Sequence, residues 1–438
     1  MSQPPLPTHC DVLVIGAGPA GSACAQALAR AGQQVLLVDQ HNFPRDKVCG
    51  DGLIPDSHAA LKRLGVYEEV AALATSVAHV RCVGPRGGHV DVPGTMSVLP
   101  RKTLDHILVR AAERAGARLL TPLRFEAPLL DGERVVGARF RAAHGASSGA
   151  SPGTSPGTSQ STAQSTRQST PQGSADVVHD IHARWVVLAT GAVPQGLAAA
   201  GLCERHTPSG VALRGYVHNP ALVGQITQLQ IIWHHKLRGG YGWIFPAPGG
   251  LFNIGAGLTD SHRAVSGKGR MRPINLRQMF DTFCAVYPPA AALMRDGVPQ
   301  GEIKGAPLRC SLRGAAWSRP GLLVAGEAAG TTYAFSGEGI GKAMESGLMA
   351  AEALAHDVHA AAPAVQARYA TAMQTLLPQF KLYDAASRIN EHPWLADLVI
   401  WRARRSPRML RRLSGVLEET QNPGRLFTLT GMRKLMFE

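Results

Sequence analysis

Apolar residues follow two different rhythms along the first forty positions. Val12-Leu13-Val14-Ile15 is a continuous apolar run, as a parallel strand covered on both faces requires. From Ala20 the rhythm turns helical, with Ala20, Ala23, Cys24, Ala27, Leu28 and Ala31 sharing one face. Gly32 ends that helix as a C-terminal glycine does. A second buried run, Val35-Leu36-Leu37-Val38, finishes on Asp39. The pattern predicts a βαβ opening.

Residues 76–93 read as a hairpin around Gly84-Pro85-Arg86-Gly87-Gly88. Thr103 is placed to cap a helix over 104–115, with strands expected at 118–120 and 134–141. Strand patterning returns at 177–181 and 185–189 and dominates 211–258, while 276–287 is helical. Another buried strand of parallel type is expected at 321–326. Ile340, Ala343, Met344, Gly347, Leu348, Ala351 and Leu354 then hold the 3.6-residue period of a long helix. Between 145 and 175 nearly every residue is Ser, Thr, Gly, Gln, Pro or Ala, and Ser-Pro-Gly-Thr repeats at 151 and 155. So little apolar surface does not offset ordering entropy, so a disordered insert within a meander is expected.

Composition narrows the class. Of 438 residues, 45% are apolar and 17% charged, which excludes global disorder and suits two or three domains. Forty-five Lys and Arg against 31 Asp and Glu give a net charge of +14. That admits nucleotides, nucleic acid or anionic lipid as partners without choosing among them. No motif supports nucleic-acid binding. No apolar run reaches the roughly 18 residues of a membrane span, and the first residues lack the features of a secretory signal. Seven scattered cysteines without a CxxC pair argue against a disulfide framework or structural zinc. A reduced cytoplasmic protein is expected. His234 and His235 are expected on opposite faces of a strand, and no metal site is foreseen.

The chemistry begins at Gly16-Ala17-Gly18-Pro19-Ala20-Gly21. Gly16 permits the tight turn, Gly18 lets backbone approach a pyrophosphate, and Gly21 lets helix and strand pack closely. The phosphates would sit on free N–H groups at the helix start, around Pro19 and Ala20. Asp39, eighteen residues after Gly21, is placed to accept from a ribose hydroxyl. This motif alone does not separate FAD from NAD.

A distant segment does. Gly326-Glu327-Ala328-Ala329-Gly330 ends a buried strand, and Ser336-Gly337-Glu338-Gly339-Ile340-Gly341 opens the long helix. Here the chain resembles the FAD-dependent family related to aromatic-ring hydroxylases. The resemblance implies that the strand end closes over the flavin's ribityl chain and that the helix N-terminus, with Gly337, Gly339 and Ile340, faces the flavin edge. A positive helix end there favours an anionic reduced ring. Glu327 stands where the family has Asp. Ala189-Thr190-Gly191 stands where the hydroxylases carry Ala-Asp-Gly; flavin binding at Gly191 is unaffected, but direct hydride transfer from NADPH is weakened.

Three further segments resemble the geranylgeranyl reductase family, flavoproteins that saturate carbon–carbon double bonds of prenyl chains: 43–52 with Cys49-Gly50, Arg101 ahead of Asp105 and Leu108, and Tyr241-Gly242-Trp243-Ile244-Phe245-Pro246. The likeness covers roughly residues 10–355 without the insert. It implies Cys49 and Gly50 near the flavin, Arg45 and Arg101 toward the cofactor, and Tyr241 and Trp243 on the sheet roofing the flavin ring, which makes Cys49, Gly50, Tyr241 and Trp243 the candidate catalytic residues. The expected reaction is reduction of a prenyl-type double bond by hydride from flavin N5, with NAD(P)H or another reductant as electron donor. The alternatives are hydroxylation through flavin-bound oxygen, then halogenation, which Tyr241, Phe245 and the absence of lysine between Lys62 and Lys102 disfavour, and a non-catalytic electron-transfer module.

The fold expected is α/β: a Rossmann-type FAD-binding domain with parallel sheet and β-meander (8–75, 98–200, 308–390), and an α+β substrate domain with a mostly antiparallel sheet (76–97, 205–307). A basic helical region (391–438) follows. Between Asp397 and Glu418 there is no acid, and Arg402, Arg404, Arg405, Arg408, Arg411 and Arg412 crowd together. Over 408–417 an apolar face, Met409, Leu410, Leu413, Val416 and Leu417, opposes arginines. It suits either packing on the protein or lying on anionic lipid. A hydrophobic small-molecule or lipid substrate and peripheral membrane contact are the expected partners; oligomeric state is not readable.

Overall fold

A computed structural model describes residues 6–143, 178–237, 239–258, 275–355 and 358–418. The expected disordered insert at 145–175 and the last part of the basic region, 419–438, lie outside the described residues.

The opening forms as its patterning requires. His9–Ile15 and Val35–Val38 are strands joined by the helix Pro19–Arg30, and Gly32 takes a φ of +82° just past the helix. Five strands run parallel in the order Leu322–Val324, Val178–Leu188, His9–Ile15, Val35–Val38, Arg118–Leu120. Val12, Leu13, Val14, Val186, Val187, Leu322 and Leu323 have no exposed surface, because they share one core with Cys24 and Leu28 of the first helix, Tyr369 and Met373 of a later one, and Val135, Ala138 and Phe140 of the strand Arg134–Ala142. Leu123–Asp131 and Arg134–Ala142 make the meander, paired antiparallel onto Val178–Leu188.

A second sheet is antiparallel except for one pair, Leu229–Ile232 beside Thr75–Val83. Its order is Val298–Pro299, Gly210–His218, Leu251–Leu258, Gly240–Ala247, Leu229–Ile232, Thr75–Val83, His89–Val98, Gly52–Leu53, with Lys304–Leu308 also paired to Gly210–His218. One face is covered by the helix Leu276–Val286 through Met279, Phe280 and Phe283. The other carries Tyr241 and Trp243, and the C-terminal helices Trp394–Ala403 and Pro407–Leu417 pack against part of it. The long helix Ala362–Ala386 joins the first core, where the Tyr369 hydroxyl donates to the Val324 carbonyl at 2.6 Å.

Three local expectations are corrected. The helix expected at 104–115 starts three residues earlier, as Arg101–Arg114, since Pro100 supplies the cap and its carbonyl accepts from Thr103 and Leu104 N–H. Thr103 therefore sits in the first turn, and Arg101 opens the helix rather than preceding it. The two strands at 177–181 and 185–189 are one strand, Val178–Leu188; it exchanges its antiparallel partner for parallel ones near His182, which gave it two patterns. His234 and His235 are not on a strand: pairing of Leu229–Ile232 ends first and the chain turns through His235–Leu237.

Candidate active site

The glycine turn, the end of Val178–Leu188, the start of the helix Ile340–Ala355 and the aromatic face of the second sheet surround one cavity of about 910 Å³. Gly16, Gly18, Pro19, Ala20, Asp39, Arg45, Arg101 and Gly191 line it at one end; Gly326, Glu327, Gly337, Gly339 and Ile340 line its side. Tyr241 and Trp243 line it from the second sheet, and Cys49 and Gly50 from the loop that leads into the strand Gly52–Leu53. Gly21 lies behind the wall, where an added Cβ would overlap the Gly16 carbonyl oxygen. The structure thus gathers every residue expected to bind the cofactor or to act in catalysis, all but Gly21 on one cavity surface.

The cofactor end is built from backbone and paired charge. Gly18 caps the helix Pro19–Arg30 in extended conformation with no side-chain cap, leaving first-turn N–H groups for an anion. A Cβ on Gly18 would lie 3.7 Å from an Arg45 nitrogen and 3.9 Å from an Arg101 nitrogen, so both guanidiniums flank the turn. Asp105 positions them: Arg101 grips it through two bonds of 2.6 and 2.8 Å, and Arg45 Nη1 stands 3.1 Å from it. Burial opposes the Arg101 charge, and Asp105 outweighs that, holding its pKa above the ordinary value. Arg45 Nε is buried without a hydrogen-bond partner, as expected of a group meant for a ligand anion.

Asp39 accepts from Ala17 N–H and His41 N–H, both at 2.9 Å. Burial works against its charge, yet the hydrogen bond with His41 and the nearby Arg45 keep its carboxyl below the usual range. An ionised acid beside the turn suits a ribose hydroxyl and repels a 2′-phosphate. The residues present therefore fit FAD: the turn N–H groups, Arg45 and Arg101 for the pyrophosphate, Asp39 for ribose, and the start of Ile340–Ala355 for the ring. Glu327 is half-buried and accepts from the Thr332 hydroxyl at 3.2 Å.

Alternation in Gly240–Ala247 directs Tyr241, Trp243 and Phe245 to the cavity and Gly242 and Ile244 to the helix behind. The Tyr241 hydroxyl donates to the Ser336 carbonyl, fastening the sheet to the loop that opens the helix Ile340–Ala355. Trp243 Nε1 donates to Asn253 Oδ1 at 2.8 Å. Asn253 Nδ2 in turn donates to the Cys49 carbonyl and to Asp51 Oδ2, each at 2.8 Å. Gly50 lies so close to Phe245 that a Cβ would approach its ring at 3.2 Å. Burial pushes the Cys49 thiol pKa up, against the pull of Arg101, so the sulfur stays protonated.

Four residues of this wall were missed as site residues: Asp51, Arg214, Tyr216 and Asn253. Arg214 donates to Asp46 at 2.9 Å, to the Lys47 carbonyl at 2.8 Å and to the Cys49 carbonyl at 3.3 Å. Asp51 is fully buried at a φ of +64° and accepts from the Tyr216 hydroxyl, from Asn253 and from Arg101 N–H. Burial pushes its carboxyl up to about 6, against Tyr216, Arg214, Asn253 and Arg101. The available signal was charged and amide residues inside apolar strands, Arg214 in Gly210–His218 and Asn253 in Leu251–Leu258; such positions are filled only where partners await.

Beyond Phe245 the cavity turns apolar, bounded by Ile54, Val80, Leu229, Ile231 and Leu417.

A family profile described as FAD binding domain matches residues 9–149. The menaquinone reductase of Mycobacterium tuberculosis (strain H37Rv) is 32% identical over 369 residues, 78% of this chain and 76% of that protein. The digeranylgeranylglycerophospholipid reductase of Methanosarcina mazei is 26% identical over 356 residues, 78% and 74% of the two chains. Among solved structures, a geranylgeranyl bacteriochlorophyll reductase-like protein of Thermoplasma acidophilum superposes with a TM-score of 0.67 at 20% identity, covering 98% of this chain and 96% of that one. The cofactor is FAD, the protein is an oxidoreductase, and the chain belongs to the geranylgeranyl reductase family of FAD-dependent oxidoreductases.

Proposed function

We propose that this enzyme saturates a carbon–carbon double bond in the isoprenoid chain of a lipid, of the kind that names its relatives: a menaquinone or a digeranylgeranyl glycerolipid. The observation that carries the reading is a single cavity with a charged, backbone-lined end for FAD and an apolar arm walled by Ile54, Val80, Leu229, Ile231, Phe245 and Leu417. When bound and reduced by the electron donor, FAD would supply hydride to one alkene carbon, and a proton would complete the neighbouring carbon.

The chain's own residues do the rest. The apolar arm excludes water and aligns a chain that offers no polar handle, so orientation is the main contribution. Cys49 holds a proton at Sγ, kept there by burial, and the Asp51 carboxyl, raised to about 6, takes up a proton beside the aromatic wall only as pH falls toward that value. Tyr241 and Trp243 act as positioning residues, since their polar atoms are already engaged with Ser336 and Asn253. The electron donor is NAD(P)H or another carrier. Segments 8–75, 98–200 and 308–390 serve as the FAD-binding domain and 76–97 and 205–307 as the substrate domain, although the strand Gly52–Leu53 of the first pairs into the sheet of the second. The basic region from 391 contacts the membrane that holds the substrate.

Anaerobic incubation with a chemical reductant and either lipid, followed by mass spectrometry, tests the reading. A product heavier by two hydrogens supports it. A product that forms only in air and carries an added oxygen assigns the hydroxylase reaction instead.

A further inference from the structure

No helix among the described residues is long and apolar enough to cross a membrane, and the obvious amphipathic candidate is occupied. On the helix Pro407–Leu417, Met409 is 4% exposed and belongs to the buried cluster that includes Val90, Val92, Leu395 and Trp243, while Leu410, Leu413 and Leu417 lean on the same cluster. The apolar face of this basic helix is therefore turned inward onto the sheet, where lipid does not reach it.

The outward face of the C-terminal helices has a different composition. Trp394 is 51% exposed and Trp401 45% exposed, among the few large apolar side chains left in solvent. They lie seven residues apart on the helix Trp394–Ala403, close to two turns, so they share one stripe. The opposite stripe, Leu395, Ala396, Val399, Ile400 and Ala403, is buried and fixes the helix on the protein. The Arg405 guanidinium lies 4.9 Å over the Trp401 ring. Arg404, Arg405, Arg408, Arg411 and Arg412 are exposed, and no acid falls between Asp397 and Glu418.

We propose that this surface, Trp394 and Trp401 with the exposed arginines from Arg404 to Arg412, docks on an anionic phospholipid bilayer. The indoles would enter the headgroup layer, where Trp is favoured, while the guanidiniums meet lipid phosphates. The charge complementarity is one-sided from Asp397 to Glu418, and the apolar element is a pair of amphipathic rings rather than a hydrophobic groove shaped for a peptide. Docking here has a functional consequence that rests on the reductase reading. Leu417, at the end of the helix Pro407–Leu417, walls the apolar arm of the cavity, so an isoprenoid chain leaving the bilayer would find its pocket beside the docked face.

Co-sedimentation of the FAD-loaded full chain with vesicles decides the matter. Vesicles of phosphatidylcholine mixed with phosphatidylglycerol should carry the protein down, and pure phosphatidylcholine or high salt should leave it in solution. W394S/W401S and R404E/R408E/R411E should each reduce the bound fraction roughly tenfold. Both should keep the flavin spectrum and the turnover of detergent-solubilised lipid, which shows them folded. In the unsubstituted protein, tryptophan emission should shift to the blue on anionic vesicles. Wild-type protein that stays in solution with anionic vesicles, or variants that sediment as it does, would overturn the proposal. Binding to another protein through this face, with vesicles ignored, would overturn it as well. Lipid reduction in detergent without vesicle binding overturns docking alone; vesicle binding without lipid reduction overturns the reductase reading alone.

Discussion

Arg101 opens the helix Arg101–Arg114, and its guanidinium holds both oxygens of Asp105 one turn later, at 2.6 and 2.8 Å. Arg45 reaches the same carboxylate from the other side at 3.1 Å. One fully buried acid thus aims two cations at the glycine turn. Asp105→Asn cannot satisfy both, and leaving buried charge half-paired is costly. The variant should bind FAD at least roughly tenfold more weakly, equivalent to about 1.4 kcal/mol, in a fluorescence titration. Unchanged affinity would remove Asp105 from the site.

Gly21 and Gly16 meet with no room between them, since a Cβ on Gly21 would overlap the Gly16 carbonyl oxygen. Gly21→Ala should destabilise the protein by roughly 1–3 kcal/mol, the usual cost of overpacking, and lower FAD occupancy. Thermal unfolding with and without added FAD measures both.

Asp51 supplies a pH test. Its carboxyl, near 3.8 when unfolded, is raised to about 6 by burial. Its contribution to stability is full below about pH 4 and is lost as pH rises through 6. Asp51→Asn retains hydrogen bonding and tolerates the left-handed backbone but does not ionise. Denaturant titrations of the two proteins from pH 4 to 7 should diverge, wild type losing stability relative to the Asp51→Asn variant by on the order of 3 kcal/mol. Acids held below the usual range, Asp39 and Asp46, shift the profile the other way but equally in both proteins. Parallel profiles would show that Asp51 is not the buried acid described.

The apolar arm predicts a separation of binding from cofactor chemistry. Ile231→Asn places an amide in a wall of Val80, Leu229 and Phe245, and burying it unpaired costs about 1–3 kcal/mol. KM for an isoprenoid lipid should rise about tenfold or more while FAD affinity holds. Equal KM values would place the chain elsewhere.

What the chain order disclosed and what it hid follow from range. Val12–Ile15, the three glycines and Asp39 lie within thirty residues, so local rules of strand, turn and helix suffice. The pairing of Gly16–Gly21 with Gly326–Ile340 was legible because each end carries its own glycine signature. The knot of Asp46, Asp51, Arg214, Tyr216 and Asn253 was not, because it joins a loop to two strands more than 150 residues away. The inward turn of Met409 was likewise undecidable from amphipathicity alone, which fits a protein face and a lipid face equally. Helix start at Arg101 was misplaced because Pro100 supplies only a backbone carbonyl, leaving no polar side chain to mark the cap.

The most direct test of lipid double-bond reduction is a single turnover without oxygen. Protein reduced under anaerobic conditions and mixed with a menaquinone or digeranylgeranyl lipid should regain the oxidised flavin spectrum at the rate at which the saturated product appears. A flavin that stays reduced with every isoprenoid lipid and reoxidises only when air is admitted would contradict the account.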